Sequence, residues 1–131
     1  MFCLSDIRCY SEFQFHQSIR HLELDEMMMK QLKNELGIPS IVKIEVYEAK
    51  DMPCRIRGQV EPSGIRSFVI YLNPADNPGA LDDTVLHEMR HIYQILNGYV
   101  NTMSENELER DAQSWAEEQL RSGKYRGILR W

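Results

Sequence analysis

Apolar positions along the chain follow two different periods, and the places where the period changes mark the elements. From Ser11 to Leu36, Phe15, Ile19, Leu22, Met29, Leu32 and Leu36 approximate helical spacing, which predicts a long amphipathic N-terminal helix stopped by Gly37 and Pro39. Met27, Met28 and Met29 fall inside it as adaptable core residues. Beyond Pro39 the period becomes two: Val42, Ile44 and Val46 alternate with Lys43, Glu45 and Tyr47 as a half-buried strand. Cys54, Ile56, Gly58 and Val60 alternate in the same way, and Glu61-Pro62-Ser63-Gly64 turns the chain into Ile65 to Leu72, so a hairpin follows. The prolines and glycine of Asn73 to Ala80 predict a loop.

Two further helices close the pattern. Val85, Met89, Ile92 and Leu96 form the apolar stripe of a helix over Asp82 to Asn97, with Gly98 suited to the position after its cap. Ser104 to Glu107 reads as a capping box opening a third helix, whose face continues through Leu108, Ala112, Trp115 and Ala116 to about Ser122-Gly123. The tail KYRGILRW is too irregular to assign. The expectation is an α+β fold: a long N-terminal helix, a small antiparallel three-stranded sheet, and a helical pair.

Length and composition narrow the class. A chain of 131 residues holds one core of useful size, so residues 1–131 read as a single domain with 124–131 as its C-terminal tail. A formal charge of -5 without a Lys/Arg cluster argues against a nucleic-acid partner. No apolar run approaches the roughly 20 residues a bilayer span requires, and Asp6 and Arg8 interrupt what a signal peptide would need, so a cytoplasmic protein with no membrane partner is expected. Cys3, Cys9 and Cys54 are odd in number and lack CxxC spacing, which indicates neither a disulfide framework nor a cysteine metal site. His16 and His21 lie five apart and share no helix face, so they make no metal pair.

Chemistry concentrates in the second helix. His87-Glu88-Met89-Arg90-His91 is an HExxH pattern within a segment predicted helical for independent reasons. Two histidines four apart stand one turn above each other, able to converge on one zinc ion at about 2.0–2.1 Å. Glu88 projects about 100° around the helix from His87, near the ion yet positioned to act as general base. A catalytic zinc usually takes a third protein ligand and keeps one position open. Glu109 is suited to that part: His91 lies about 9 Å before Asn97 and Glu109 about 7.5 Å after Ser104, so a short antiparallel connection brings the two level. Glu105, one turn earlier, is the competitor, while Glu107 belongs to the capping box.

VLHEMRHIYQ (85–94) followed by ELERDAQSWAEE (107–118) resembles the gluzincins, whose HExxH helix is followed by a glutamate helix of the form E-x-x-A. The small size and the preceding strands look like the minigluzincins, and a second resemblance is to the short repressor-cleaving metallopeptidases of mobile elements. Both cover mainly Ile65 to Ala116. The resemblance implies a minimal zincin, a substrate-binding edge strand at Phe68 to Leu72, and a latent form with a chain segment in the cleft. Relatives often place Asp or Asn four residues after the glutamate ligand to orient a histidine; here that position is Gln113. Arg90, often basic in these relatives, reads as an ion-pairing or exposed residue.

The implied activity is zinc-dependent hydrolysis of peptide bonds in a peptide or protein substrate, through a metal-activated water with Glu88 as base. Tyr93, Tyr99, Tyr125 and Arg110 are chemically able to stabilise the oxyanion, and the sequence does not choose among them. The rival is a non-catalytic zinc-binding regulatory or partner-binding module, for which Glu88 would have no use. The tail, with Tyr125, Ile128, Leu129 and Trp131, either docks beside Phe68 to Leu72 and blocks the cleft or packs on helices one and three to complete the core. Oligomeric state is not legible.

Overall fold

A computed structural model describes residues 19–52, 56–74 and 78–130. Their order is β1 (Ile19–Leu24), α1 (Glu26–Glu35), β2 (Lys43–Ala49), β3 (Gly58–Gly64), β4 (Ser67–Leu72), α2 (Pro78–Leu96), a 3-10 turn (Tyr99–Asn101), α3 (Glu105–Ser122) and β5 (Leu129–Arg130). The fold is α+β, as expected, but the first element and the sheet differ from expectation.

The first helix is short. Of the segment expected to be one long helix, residues 11–18 lie outside the described region, Ile19–Leu24 is a strand, and only Glu26–Glu35 is helical. Asp25 divides the two: its side chain accepts a hydrogen bond from the Met28 amide at 2.9 Å, capping α1. Helical spacing of Ile19 and Leu22 was ambiguous over so short a run. Pairing decides it, since β1 is antiparallel to β2 (Leu22 opposite Val46) on one side and to β5 (Leu24 opposite Leu129) on the other.

Among the described residues the sheet has five strands in the order β3-β4-β2-β1-β5 rather than three, and it is mixed. β3 and β4 form the expected antiparallel hairpin, with Val60 opposite Ile70. β4, however, lies parallel to β2, with Val46 opposite Ile70. The chain reverses twice between these strands, so the second arm of the hairpin inserts beside β2 and puts β3 outermost. Phe68 to Leu72 is therefore an interior strand, not the edge expected from the resemblance. Its near-continuous burial from Phe68 to Leu72, with only Val69 partly exposed, fits a strand covered on both faces.

One apolar cluster draws on every helix and strand: Leu22, Leu32, Val46, Val60, Ile70, Val85, Ala116 and Leu129 all belong to it. α2 starts at Pro78, four residues earlier than expected, because the first helical turn has no need of the amide that proline lacks. Its buried stripe of Leu81, Val85, Leu86, Met89 and Ile92 faces the sheet. Gly98 (φ 75°) turns the chain after α2 in a left-handed conformation that glycine adopts without strain, and the expected capping box at Ser104 and Glu107 opens α3. Among the described residues no helix is long and apolar enough to cross a membrane.

The tail completes the core instead of entering a cleft. Tyr125 and Ile128 are fully buried in the main cluster, and β5 pairs with β1, at the far side of the sheet from β3. Asp82 anchors it from α2, its two carboxylate oxygens accepting from the Gly127 amide at 3.0 Å and the Leu129 amide at 3.3 Å. Tyr125 donates to Glu35 at 2.6 Å, and Asp25, the α1 cap, receives Arg130 at 2.9 Å. Each bond ties the tail to an element that precedes it by tens of residues.

Ile128→Ala should therefore destabilise the fold by about 2–5 kcal/mol, the usual range for truncating a buried aliphatic side chain. Truncation after Gly123 should cost more still. Denaturant unfolding monitored by circular dichroism checks both, and a truncated chain as stable as the full one would show the tail to be dispensable.

Candidate metal centre

α2 carries both a buried apolar stripe and, adjoining it, His87, Glu88 and His91. Glu88 and His91 have 0% exposure and His87 is half-buried, because α3 covers the face they occupy. Leu108, Ala112 and Ala116 are the buried positions of α3, and two of the three are alanines, which permits close approach. Contacts between the helices run antiparallel, from Gln94 with Leu108, through His91 with Glu109, to Arg90 near Trp115.

Donor atoms of His87, Glu88 and His91 lie within 4.8 Å of one another, a group that could hold a metal ion. Glu109 reaches the same point from α3: its Oε2 is 3.0 Å from His87 Nε2 and its Oε1 is 3.2 Å from His91 Nε2, the second contact not aligned as a hydrogen bond. The four residues singled out in the sequence are thus together. Glu105, the competing carboxylate, is exposed at the first turn of α3 and makes none of these contacts.

Four atoms in this cluster lack what buried polar atoms normally have. Both carboxylate oxygens of Glu88, the Nε2 of His91 and the Oε1 of Glu109 are buried without a hydrogen-bond partner. Such orphans are costly in a folded protein and call for an ion, a water or a functional use. Electrostatics follow the same geometry. Burial pushes the Glu88 carboxyl above its ordinary value, against the opposing pull of His91 and His87. For Glu109, burial acts upward, but the hydrogen bond with His87 and the neighbouring His91 outweigh it and hold the carboxyl at about 2. For His87, burial acts downward and is overcome by Glu109 and Glu88, which raise it.

The cleft beside this cluster holds about 210 Å³ and is lined by Arg57, Asp83, Thr84, His87, Glu88, Glu109 and Gln113. A larger hollow of about 610 Å³ lies between α1 and strands β1 and β2, but none of the cluster borders it, so size alone does not locate the chemistry. Arg57, immediately before β3, lines the smaller cleft. At Gly58 a Cβ would stand 2.4 Å from the Thr84 methyl and 3.5 Å from Glu88 Oε1, so only glycine lets the strand press against α2 beside the carboxylate. Arg57, next to it, approaches Asp83 and Thr84 at 3.5 Å and brings a positive charge to a wall with three carboxylates.

Other expectations are redistributed. Tyr125 is in the core, Tyr93 and Tyr99 pack on each other with centroids 5.8 Å apart, and neither they nor Arg110 line the cleft; Arg57, which does, was not singled out in the sequence. Its adjacency is a product of the β3–α2 contact and left no local signal. Gln113 borders the cleft but donates to Glu117 at 2.8 Å rather than to a histidine. The amide that touches a histidine is Gln94, whose Oε1 is 2.7 Å from His91 Nδ1. Arg90 is an ion-pairing residue, gripping Asp111 at 2.9 Å and 3.2 Å. Cys9 and His16 lie outside the described residues.

Fold and cluster together define an α+β domain with a His-Glu-His group, capable of holding a metal ion, on one helix. Compared with protein-family models, curated proteins and solved structures, the chain matches none.

A buried carboxyl without partners makes the metal-free protein sensitive to pH in a defined direction. Well below the ordinary value of 4.5 the Glu88 carboxyl is protonated in folded and unfolded chains alike, and it imposes no penalty. As pH rises above 4.5 the unfolded chain ionises first, and stability falls until the raised folded value is passed. Glu88→Gln, which keeps the neutral shape, should thus raise the melting temperature of metal-free protein more at pH 8 than at pH 4. Equal gains at both would contradict the assigned burial.

Proposed function

We propose that this chain is a zinc-dependent peptidase of the gluzincin type, with His87, His91 and Glu109 as ligands and Glu88 as general base. The observation that carries the reading is the convergence of these four side chains from two helices, His87, Glu88 and Glu109 lining the cleft and His91 buried beside them, with His91 Nε2 and the Glu88 carboxylate buried and unpartnered. Two imidazoles and a carboxylate are a familiar donor set for zinc with an open position. Four-coordinate donors at about 2.0–2.1 Å from an ion stand roughly 3.3–3.5 Å apart. The separations of 3.0 Å and 3.2 Å from Glu109 to the two imidazoles need widen by only a few tenths of an ångström.

Zinc, when bound, supplies Lewis-acid polarisation of a carbonyl and lowers the pKa of a water. The chain's own residues do the rest. Glu88, on the cleft wall between the histidines, accepts the proton of the attacking water and returns it to the leaving amine. Burial raises its pKa, which favours the uptake of a proton by the carboxylate. Arg57 offers a donor for the negative charge that develops on the carbonyl oxygen. An extended peptide laid along β3, the outermost strand of its side of the sheet, would meet the cleft at Gly58.

Glu109→Ala should abolish stoichiometric zinc uptake, measured by elemental analysis after dialysis, while Glu105→Ala should retain it. Equal zinc in the two variants would remove Glu109 from the ligand set.

Cleavage of an unfolded protein such as reduced casein tests the reaction. Glu88→Gln should retain zinc and fold yet lose activity by roughly 10²–10⁴-fold, the range for a positioned acid–base group. Zinc binding without Glu88-dependent cleavage would leave a metal-binding module and end the peptidase reading.

A further inference from the structure

His91 is enclosed by a relay that the peptidase reading does not require and the HExxH pattern does not contain. Its Nδ1 lies 2.7 Å from Gln94 Oε1. The identity of that atom as oxygen follows from the other end of the amide: Gln94 Nε2 is 3.0 Å from the Leu108 carbonyl and 2.8 Å from Asp111 Oδ2, two groups that accept. Were the amide turned over, its oxygen would face both acceptors and its NH2 would face the imidazole.

Asp111 is itself held in the accepting state. Arg90, which can only donate, contacts both its oxygens through Nε at 2.9 Å and Nη2 at 3.2 Å. Arg90 is fixed in turn by aromatic faces, its guanidinium 4.2 Å from the Tyr93 ring centre and 5.6 Å from that of Trp115. Every bond in the set therefore has one direction, from Arg90 to Asp111, from Gln94 to Asp111, and from His91 to Gln94. The only assignment that satisfies all of them puts a proton on His91 Nδ1.

We propose that Arg90, Asp111 and Gln94 form a positioning relay that fixes the tautomer of His91, leaving its Nε2 as a bare electron pair aimed at the metal position. The atom so exposed is the one in the imidazole that is buried without a hydrogen-bond partner. A neutral imidazole free to choose can carry its proton on either nitrogen, and whenever the proton sits on Nε2 the ligand atom is blocked. Gln94 stands three residues after His91 on α2, and Asp111 two residues after Glu109 on α3, so the relay also ties the two ligand-bearing helices together one turn beyond the cluster.

The inference rests on His91 serving as a metal ligand, yet its first test needs no metal. In zinc-free protein labelled with 15N-histidine, two-bond proton–nitrogen correlations followed upward in pH until each ring holds one proton should show His91 protonated at Nδ1 and bare at Nε2. A proton on Nε2, or a mixture of the two forms, would overturn the proposal. Asp111→Asn replaces an obligate acceptor with a group that can also donate; it should give mixed tautomers at His91 and weaken zinc binding about 10–100-fold in a chelator competition. A folded Asp111→Asn protein with the wild-type tautomer and wild-type zinc affinity would also overturn it, and if that variant does not fold the wild-type spectrum decides alone. Failure of the wild-type chain to bind zinc would refute the metal reading, and the spectrum would still judge the relay.

Discussion

Glu88 and His91 have no exposed surface, and that burial is the constraint to which the surrounding structure answers. Removing a carboxylate and an imidazole from water without pairing them costs several kcal/mol, a large fraction of the roughly 5–15 kcal/mol by which a domain is stable. The molecule limits this cost in three ways. Glu88 is allowed to shift its pKa upward, His91 is given one strong partner at Nδ1, and Glu109 is brought across from α3 to face both histidines. What remains unsatisfied is the set of lone pairs that a cation would occupy.

The α2–α3 pair can hold such a site because its apolar and polar side chains occupy adjoining faces of the helices. Met89 and Ile92 of α2 and Ala116 of α3 join the main core, while Glu109 and Asp111 present carboxylates to the face of α2 that carries the histidines and Arg90. Small residues on α3 bring the backbones near enough for a carboxylate on a short stem to reach across. The sheet supports this pair from the other side, and β3 meets α2 where a glycine permits close approach to Thr84 and Glu88.

Rigidity at the site draws on distant parts of the chain. Asp82, on the same helix as His87, clamps the amides of Gly127 and Leu129, and through β5 it is joined to β1 and the α1 cap. The tail thus belongs to the scaffold that orients α2. Its apolar residues find cover in the core, which a domain of 131 residues has reason to use fully.

Locally encoded features were legible from the chain alone. The two helices bearing the cluster, the capping box at Ser104, the β3–β4 hairpin and the level at which Glu109 meets His91 follow from periodicity, capping chemistry and helical rise, all of which operate over a few residues. The tertiary structure decided everything that depends on which neighbour an element finds. Ile19 to Leu24 became a strand because β2 and β5 flank it, and Phe68 to Leu72 moved to the sheet interior because β4 pairs in parallel with β2. Arg57 joined the cleft through the contact of the adjoining strand with α2, across tens of residues, and Gln94, three residues after His91 on the same helix, has its other end fixed by Leu108 and Asp111 of α3. Spacing within one element states which face a side chain is on, but hydrophobic pattern is blind to the partner that face will meet, and only the packed chain supplies that partner.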